Sequence, residues 1–162
     1  MRLENELAAT APSRRARRKS LMVEHLLASG MGCCALRHVQ VAQLMQSTLL
    51  HFDGSKYRLY GWCIMPNHVH VLIRTQVPLP GIMQSWKSYV GRRAMAWNQE
   101  LGLKIPGAGL WMRDYWDRSI RDGRHYNAVL YYIHQNPVVA GLCRNAEDWP
   151  WSSAGVSWEN SQ

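Results

Sequence analysis

Residues 65–73 read Met-Pro-Asn-His-Val-His-Val-Leu-Ile, and this segment decides how the rest of the chain is interpreted. A Pro-Asn turn leads into alternating residues rich in β-branched side chains, a pattern typical of a strand. Side chains two positions apart project from the same face of a strand, so His68 and His70 lie side by side. Two imidazoles on one face are half of a metal site. The pair alone is a weak signal, because strand histidines without any chemistry are the more common explanation.

A second segment, residues 131–137 (Tyr-Tyr-Ile-His-Gln-Asn-Pro), lies at the end of a predicted helix that begins near Arg124. Pro137 and Gly141 are predicted to close this helix. His134 is predicted to face the surface or a DNA ligand. The apolar residues recur with the helical period, and the predicted buried stripe consists of Tyr126, Val129, Leu130 and Ile133.

Tyr132 lies off that stripe, and Asn136 follows it by four positions, so the two side chains share one face of the helix. An amide oxygen can bind a metal ion, and a phenol can act as a nucleophile beside it. This helical face could therefore complete a site that His68 and His70 begin.

The charge of the chain is uneven along its length. The 162 residues carry a formal net charge of +8, and residues 1–20 contribute half of that excess. This first segment is predicted to be a disordered basic arm, and residues 21–158 are predicted to form a single domain. The chain has no apolar run long enough for a membrane span and no Cys-x-x-Cys spacing, and its arginine-containing N-terminus is expected to be a poor secretory signal. A cytoplasmic protein with reduced thiols is therefore expected.

Many of the remaining basic residues alternate with aromatic ones, which is typical of grooves that bind single-stranded nucleic acid. Cations contact phosphates there, and ring faces stack on unpaired bases. An ordinary core of tryptophans under a solvated basic surface is an equally good explanation of composition alone. The candidate DNA-binding residues are Lys87, Arg92, Arg93, Arg113, Arg118, Arg121, Trp111 and Trp116.

The order of the predicted elements favours an α+β fold, an antiparallel sheet with helices packed on it. Strands are predicted at residues 57–65 and 68–74, where they form a hairpin, and helices at residues 37–51 and 82–98. Residues 21–29 are predicted to be a short helix ended by a glycine. The tail around residues 147–153 is predicted to pack back on the body of the domain.

Taken together, the ordered motifs resemble the single-tyrosine HUH transposases of the IS200-like type, in particular their REP-associated tyrosine transposase branch. The motifs are Met-Pro-Asn-His-Val-His, then Tyr-x-x-x-Asn-Pro-x-x-Ala-Gly-Leu, then Trp-Pro-Trp-Ser-Ser. The resemblance covers residues 36–154, and residues 110–122 are also in the style of the family. It implies the HUH endonuclease fold, which is ferredoxin-like or RRM-like.

The resemblance also implies a metal-dependent enzyme that nicks and rejoins single-stranded or hairpin DNA, with REP-like hairpins as the target. In it, Tyr132 would form a 5′-phosphotyrosine intermediate. His68, His70 and Asn136 would hold a divalent cation, Mg²⁺ or Mn²⁺. Relatives begin with a strand that this chain shows no sign of before Leu21, so the first strand is predicted to be missing and to leave an exposed edge beside the histidine strand.

Several alternatives remain open from the sequence. Tyr131, Tyr126 and Tyr89 are rival nucleophiles, although none of them shares a helical face with Asn136 at the same spacing. A histidine-triad hydrolase needs a histidine where Leu72 stands, and a cupin-like oxygenase needs a nearby carboxylate. The serious competitor is a catalytically inactive, truncated or domesticated relative that binds nucleic acid, which the missing strand would favour. The choice between monomer and dimer stays open.

Overall fold

The computed structural model describes residues 22–28 and 33–156, in which strands and helices follow one another in the order β-α-β-β-α-β-α. The elements are β1 (Met22–Ala28), α1 (Val39–His51), β2 (Tyr57–Ile64), β3 (His68–Thr75), α2 (Leu79–Leu101), β4 (Trp116–Ser119) and α3 (Gly123–Val139). The strands form one antiparallel sheet in the order β2-β3-β1-β4. This is the ferredoxin-like arrangement with one added helix, which confirms the predicted fold class.

The first strand is present, and the prediction that it is missing was wrong. β1 pairs with β3 along all seven of its residues, from Met22 opposite Arg74 to Ala28 opposite His68, and it pairs with β4 on its other side. Its sequence, MVEHLLA, contains mostly residues that favour helices in isolation. Pairing on both sides supplies the backbone hydrogen bonds that a helix would otherwise supply, and this tertiary context overrides the local preference. The edge of β3 beside the histidines is therefore covered.

One face of the sheet is covered by α1 and α2, and it holds the larger core. The side chains of Val69, Val71 and Ile73 project from β3 into this core. They meet Met45 and Leu49 of α1 and Trp86 and Val90 of α2, all of which are buried. The apolar faces that the sequence predicts for the two helices and for β3 therefore pack against one another in this core. None of the predicted catalytic and metal-binding residues projects from β3 or α3 into this core.

The other face of the sheet is covered by α3 and holds a smaller apolar cluster. Its buried members are Cys63, Met65 and Leu72 from the hairpin, and Val129 and Ile133 from α3. The predicted stripe on α3 is therefore confirmed at Val129 and Ile133, while Tyr126 and Leu130 are only partly buried. Pro137 does not close α3 as predicted but lies in its last turn, and the helix ends at Val139.

The tail after α3 returns to the sheet along the outer edge of β2, as predicted. The backbone N–H of Ile64 donates to the carbonyl oxygen of Trp151 at 2.8 Å, and the indole of Trp149 donates to the carbonyl oxygen of Ile64 at 3.0 Å. These bonds satisfy groups that an edge strand would otherwise expose. The predicted basic arm of residues 1–20 lies outside the described residues. None of the helices in the described ranges is long and apolar enough to cross a membrane.

Candidate active site

The two histidines project from β3 towards α3. His68 and His70 alternate with Val69 and Val71, whose side chains enter the larger core, so the imidazoles lie on the opposite face. The two ring centroids are 5.0 Å apart, with the ring planes nearly perpendicular. His70 is 4% exposed, whereas His68 is half-buried. The imidazole of His70 is thus shielded from solvent, whereas that of His68 is partly accessible to it.

Tyr132 reaches this pair from α3. The Asp122 side chain caps the start of the helix by accepting a hydrogen bond from the His125 N–H at 2.7 Å. The buried positions Val129 and Ile133 fix the side of α3 that faces the sheet. Tyr132 then projects past the edge of this contact, and its ring centroid lies 5.5 Å from that of His70. The Tyr132 side chain is 54% exposed, so its hydroxyl is accessible from solvent.

Asn136 lies one turn further along α3, beside His68. Burial is the largest influence on the His68 imidazole and lowers its pKa, and the neighbouring His70 lowers it further. A hydrogen bond with the Asn136 side chain acts in the opposite direction and only partly offsets this. The net lowering of the His68 pKa favours the neutral imidazole near neutral pH, which is the form that binds a metal ion.

Asn67 orients the His68 ring, a role that the sequence did not suggest. The Asn67 side-chain oxygen lies 2.7 Å from Nδ1 of His68. In the neutral tautomer that carries its proton on Nδ1, this nitrogen donates to Asn67 and Nε2 keeps its lone pair. Histidines that bind metals are commonly fixed in this way by a partner on the second ring nitrogen. The only sequence signal for this role was the position of Asn67 in the turn immediately before His68.

The donor set fits a divalent cation that also contacts phosphate. Within the described ranges, no three His, Cys, Asp or Glu side chains are grouped closely enough to hold a metal ion. The amide of Asn136, which is hydrogen-bonded with His68, is a side chain that could supply a third ligand beside the two imidazoles. Two neutral imidazoles and a neutral amide leave the full charge of a bound cation available to an anionic substrate.

The predicted DNA-binding residues on α2 do not join this site. The Lys87 ammonium donates to the backbone carbonyls of Met112 and Arg113, at 2.6 and 3.0 Å, and so attaches the segment before β4 to the helix. Arg92 lines a cleft between α1 and α2. The guanidinium of Arg93 lies 5.3 Å from the centre of the Trp97 ring. All three are on the helix that covers the opposite face of the sheet.

Trp116 and Arg118, in contrast, lie on the same sheet face as the histidines. Leu26 of β1 is opposite His70 on one side and opposite Trp116 on the other. Residues directly opposite each other share a face, so Trp116 is two strand spacings, roughly 10 Å, from His70. The Trp116 ring is 49% exposed, and the Arg118 guanidinium lies 5.3 Å from its centre.

The other candidates before α3 divide into packed and exposed residues. Trp111 packs against the larger core and lies over α2 at Gly91, where an added Cβ would be 3.4 Å from the indole Cδ1. The partly buried ring thus makes structural contacts, and its role in stacking on DNA stays a prediction. Arg113 and Arg121 are exposed, and Arg121 lies in the turn that precedes α3.

The rival tyrosines lie in other environments. Tyr131 is 69% exposed, one position away from Tyr132 on α3. Tyr126 packs edge-on against Tyr60, with 5.9 Å between the ring centroids, and burial raises the pKa of its hydroxyl. Tyr89 lines the cleft between α1 and α2, on the far side of the sheet from the histidines. The contact with His70 distinguishes Tyr132 from these three.

Known proteins share this fold. A solved structure of a REP-associated tyrosine transposase bound to a REP hairpin superimposes with a TM-score of 0.65. The superposition covers 90% of this chain and 84% of that one, at 18% sequence identity. At this level of identity the similarity shows that the two proteins have the same fold.

Sequence relatives lead to one family. A REP-associated tyrosine transposase of Escherichia coli K12 is 25% identical over 97 residues, which is 60% of this chain and 54% of that protein. A Haemophilus influenzae Rd protein, named as a candidate member of the same group, is 28% identical over 98 residues, with 56% and 55% covered. This chain thus spans about half the length of the curated relatives it matches. The model of the IS200-like transposase family matches residues 38–136, and the chain belongs to that family.

Proposed function

We propose that this protein cuts and rejoins single-stranded DNA through a covalent bond to Tyr132. The observation that carries the proposal is the continuous series of rings from His68 to His70 to Tyr132, with centroid separations of 5.0 and 5.5 Å. Two sequence segments more than sixty residues apart contribute to this series. It combines a nucleophile with the donors of a metal site in one partly open position.

The Tyr132 hydroxyl is the nucleophile in this proposal. Its oxygen attacks the phosphorus of a DNA phosphodiester and releases its proton to solvent, to which the exposed side chain has access. The bond between phosphorus and the 3′ oxygen breaks, and that oxygen takes up a proton to leave a free 3′-OH. The 5′-phosphotyrosine retains the energy of the phosphodiester, so a later attack by a 3′-OH rejoins strands without ATP.

His68, His70 and Asn136 would hold Mg²⁺ or Mn²⁺ beside the nucleophile. When bound, the cation would polarise the scissile phosphate and neutralise the charge that develops during attack. The hydrogen bond from His68 to Asn67 keeps the coordinating nitrogen directed away from the turn. The amide nitrogen of Asn136 donates a long hydrogen bond of 3.5 Å to the carbonyl oxygen of Tyr132, and the amide oxygen, on the side of His68, is the atom that would bind the cation.

A single strand or a hairpin with single-stranded flanks is the proposed substrate. Trp116 offers an exposed ring on the face that carries the histidines, and Arg118 lies against that ring. An exposed ring beside a cation suits an unpaired base and its phosphate, and it suits a continuous duplex poorly. The net charge of +8 favours any nucleic acid. The related protein solved with a REP hairpin supports a hairpin target.

The direct test is covalent adduct formation with a hairpin oligonucleotide that carries single-stranded flanks. We expect a DNA–protein adduct, stable in denaturing gels, with Mn²⁺ or Mg²⁺ and none with a chelator. Peptide mapping after nuclease digestion should locate the nucleotide on Tyr132. The double variant His68→Ala/His70→Ala should fold normally and form no adduct. An adduct on another tyrosine would contradict the assignment of the nucleophile.

An inactive DNA-binding protein was the competing interpretation, and the feature that favoured it was the missing first strand. Because β1 occupies that position, no observation on the described residues now favours it. It remains a possible outcome of the same experiment: hairpin binding without an adduct under any divalent metal would establish it and overturn the proposed function.

A further inference from the structure

The side chain of Ser153 joins three parts of the molecule. Its Oγ accepts a hydrogen bond from the backbone N–H of Trp62 in β2 at 3.0 Å and lies 3.3 Å from the carbonyl oxygen of the same residue. Nε2 of His134, on α3, lies 2.8 Å from this oxygen. Ser153 itself belongs to the tail and is buried. A single hydroxyl therefore links the tail, the sheet and the helix that carries Tyr132.

The three hydrogen bonds at Ser153 Oγ can form at the same time. A serine hydroxyl donates one hydrogen bond and accepts two. With His134 protonated on Nε2, Ser153 accepts from the imidazole and from the Trp62 N–H, and it donates to the Trp62 carbonyl. A buried network in which every member has a partner holds one geometry more firmly than apolar packing does.

A second contact holds α3 one turn away from this junction. At Gly61, where the pairing of β2 with β3 shifts register, an added Cβ would lie 2.5 Å from Cδ1 of Leu130. The absent side chain lets α3 approach β2 at this point. Leu130 and His134 are four positions apart and thus lie on one face of the helix. The close packing of Leu130 on Gly61 and the hydrogen bond of His134 with Ser153 are one turn apart. Together they fix the distance of α3 from the sheet and its rotation about its own axis.

We propose that this His134–Ser153 junction is a positioning device for the active site. Tyr132 and Asn136 each lie two residues from His134, so a rotation or sliding of α3 displaces both relative to the histidines of β3. The predicted role of His134 as a surface or DNA-facing residue was therefore wrong, since its ring faces the tail. This inference rests on the proposed function for its kinetic part, but the placement of Tyr132 can be measured without DNA.

The test compares variants that break the junction with one that weakens the tail elsewhere. Ser153→Ala and His134→Leu remove the hydrogen bond to α3, and His134→Gln keeps a donor near the position of Nε2. Ser152→Ala is the matched control, because Ser152 is also buried and its Oγ bonds to the Ala154 N–H in the tail and to the Cys63 thiol in β2 rather than to His134. The full chain is used throughout, well below the melting temperature of each variant.

Two measurements are made on each variant. The first is the single-turnover rate of adduct formation at saturating hairpin DNA, together with the dissociation constant for DNA. Because a misplacement of about 1 Å can cost roughly 100-fold in rate, Ser153→Ala and His134→Leu should lose about 10- to 100-fold with unchanged DNA affinity. His134→Gln should recover most of the rate, and Ser152→Ala should lower the melting temperature without slowing the reaction.

The second measurement is the nuclear Overhauser contact between the ring protons of Tyr132 and His70 in the protein without DNA. We expect the contact in wild type and in Ser152→Ala, and we expect its loss in Ser153→Ala and His134→Leu. A Ser153→Ala protein that keeps both the contact and the rate would overturn the positioning role. If the contact depends on Ser153 but wild type never forms an adduct, the positioning role stands and the proposed function fails.

Discussion

The two faces of the sheet differ in what covers them. The face under α1 and α2 is mostly apolar, with Trp86 and three β3 side chains fully buried. Among the described side chains, the face under α3 buries five apolar residues, and on the same face lie the two histidines, Tyr132 and the exposed Trp116. The same strand, β3, contributes to both faces through alternate residues. The larger core and the candidate active site thus lie on opposite sides of β3.

This division has a physical reason. Two helices side by side cover the first face and exclude water from it, and the buried Tyr57 hydroxyl there has hydrogen-bond partners, because burial without them would be costly. A single helix covers only part of the second face, so polar side chains at its margin reach solvent and substrate. Substitutions on the α3 face should therefore alter activity at nearly constant stability. Substitutions on the other face should lower stability at nearly constant activity per folded molecule.

The largest expected effect is on activity, from Tyr132→Phe. This change removes one oxygen from a half-exposed side chain, so the melting temperature and DNA affinity should stay close to wild type. Adduct formation should fall below detection, because no phosphotyrosine can form without the hydroxyl. Tyr131→Phe is the matched control, one position away on the same helix, and it should retain full activity. Adduct formation by the Tyr132 variant would place the nucleophile elsewhere.

The opposite face should give the converse result with Trp86→Ala. The ring is fully buried, its indole donates to the Tyr57 hydroxyl at 3.1 Å, and the two rings pack edge-on. Removing a large buried aromatic costs about 3–5 kcal/mol of unfolding free energy, which denaturant titration will measure. The rate of adduct formation per folded molecule should change little. A folded variant with a strongly reduced rate would show that the two faces are not independent.

Local spacing explains which parts of the site were predictable from sequence. A period of two places His68 and His70 on one face of a strand, and a spacing of four places Tyr132 and Asn136 on one face of a helix. Both relations hold wherever the element lies in the fold. That these two faces meet was implied by the family resemblance, and the structure brings them within ring contact.

Features that depend on pairing between distant segments were not predictable in this way. β1 was predicted to be a helix because most of its residues favour helices. Its composition gives no information on β3 and β4, the two strands with which it pairs. Lys87 and Trp111 were predicted to bind DNA, which stays a prediction, and the sequence did not suggest their structural contacts: Lys87 attaches the segment before β4 to α2, and Trp111 lies over Gly91 of that helix. The position of Trp116 relative to His70 follows only from the register of three strands.

A smaller effect is expected at the turn that precedes β3. Asn67 is exposed, so Asn67→Ala should leave the melting temperature unchanged. It removes the oxygen that orients the His68 ring, and loss of such a partner typically costs about 10- to 100-fold in metal affinity. The Mn²⁺ concentration for half-maximal adduct formation should rise accordingly, with the maximal rate largely restored at high Mn²⁺. An unchanged Mn²⁺ requirement would mean that the imidazole is oriented by other contacts.

The smallest expected effect compares two arginines in the same local geometry. Arg118 and Arg93 each lie 5.3 Å from the centre of a tryptophan ring, but Arg118 is on the face of the active site and Arg93 is on α2 behind the sheet. If single-stranded DNA follows the α3 face, Arg118→Ala should weaken binding and lower the slope of log affinity against log salt by about one, as expected for one lost phosphate contact. Arg93→Ala should leave that slope unchanged. Equal losses in both variants would mean that DNA contacts both faces, and the separation of functions across the sheet would then hold for the chemistry but not for binding.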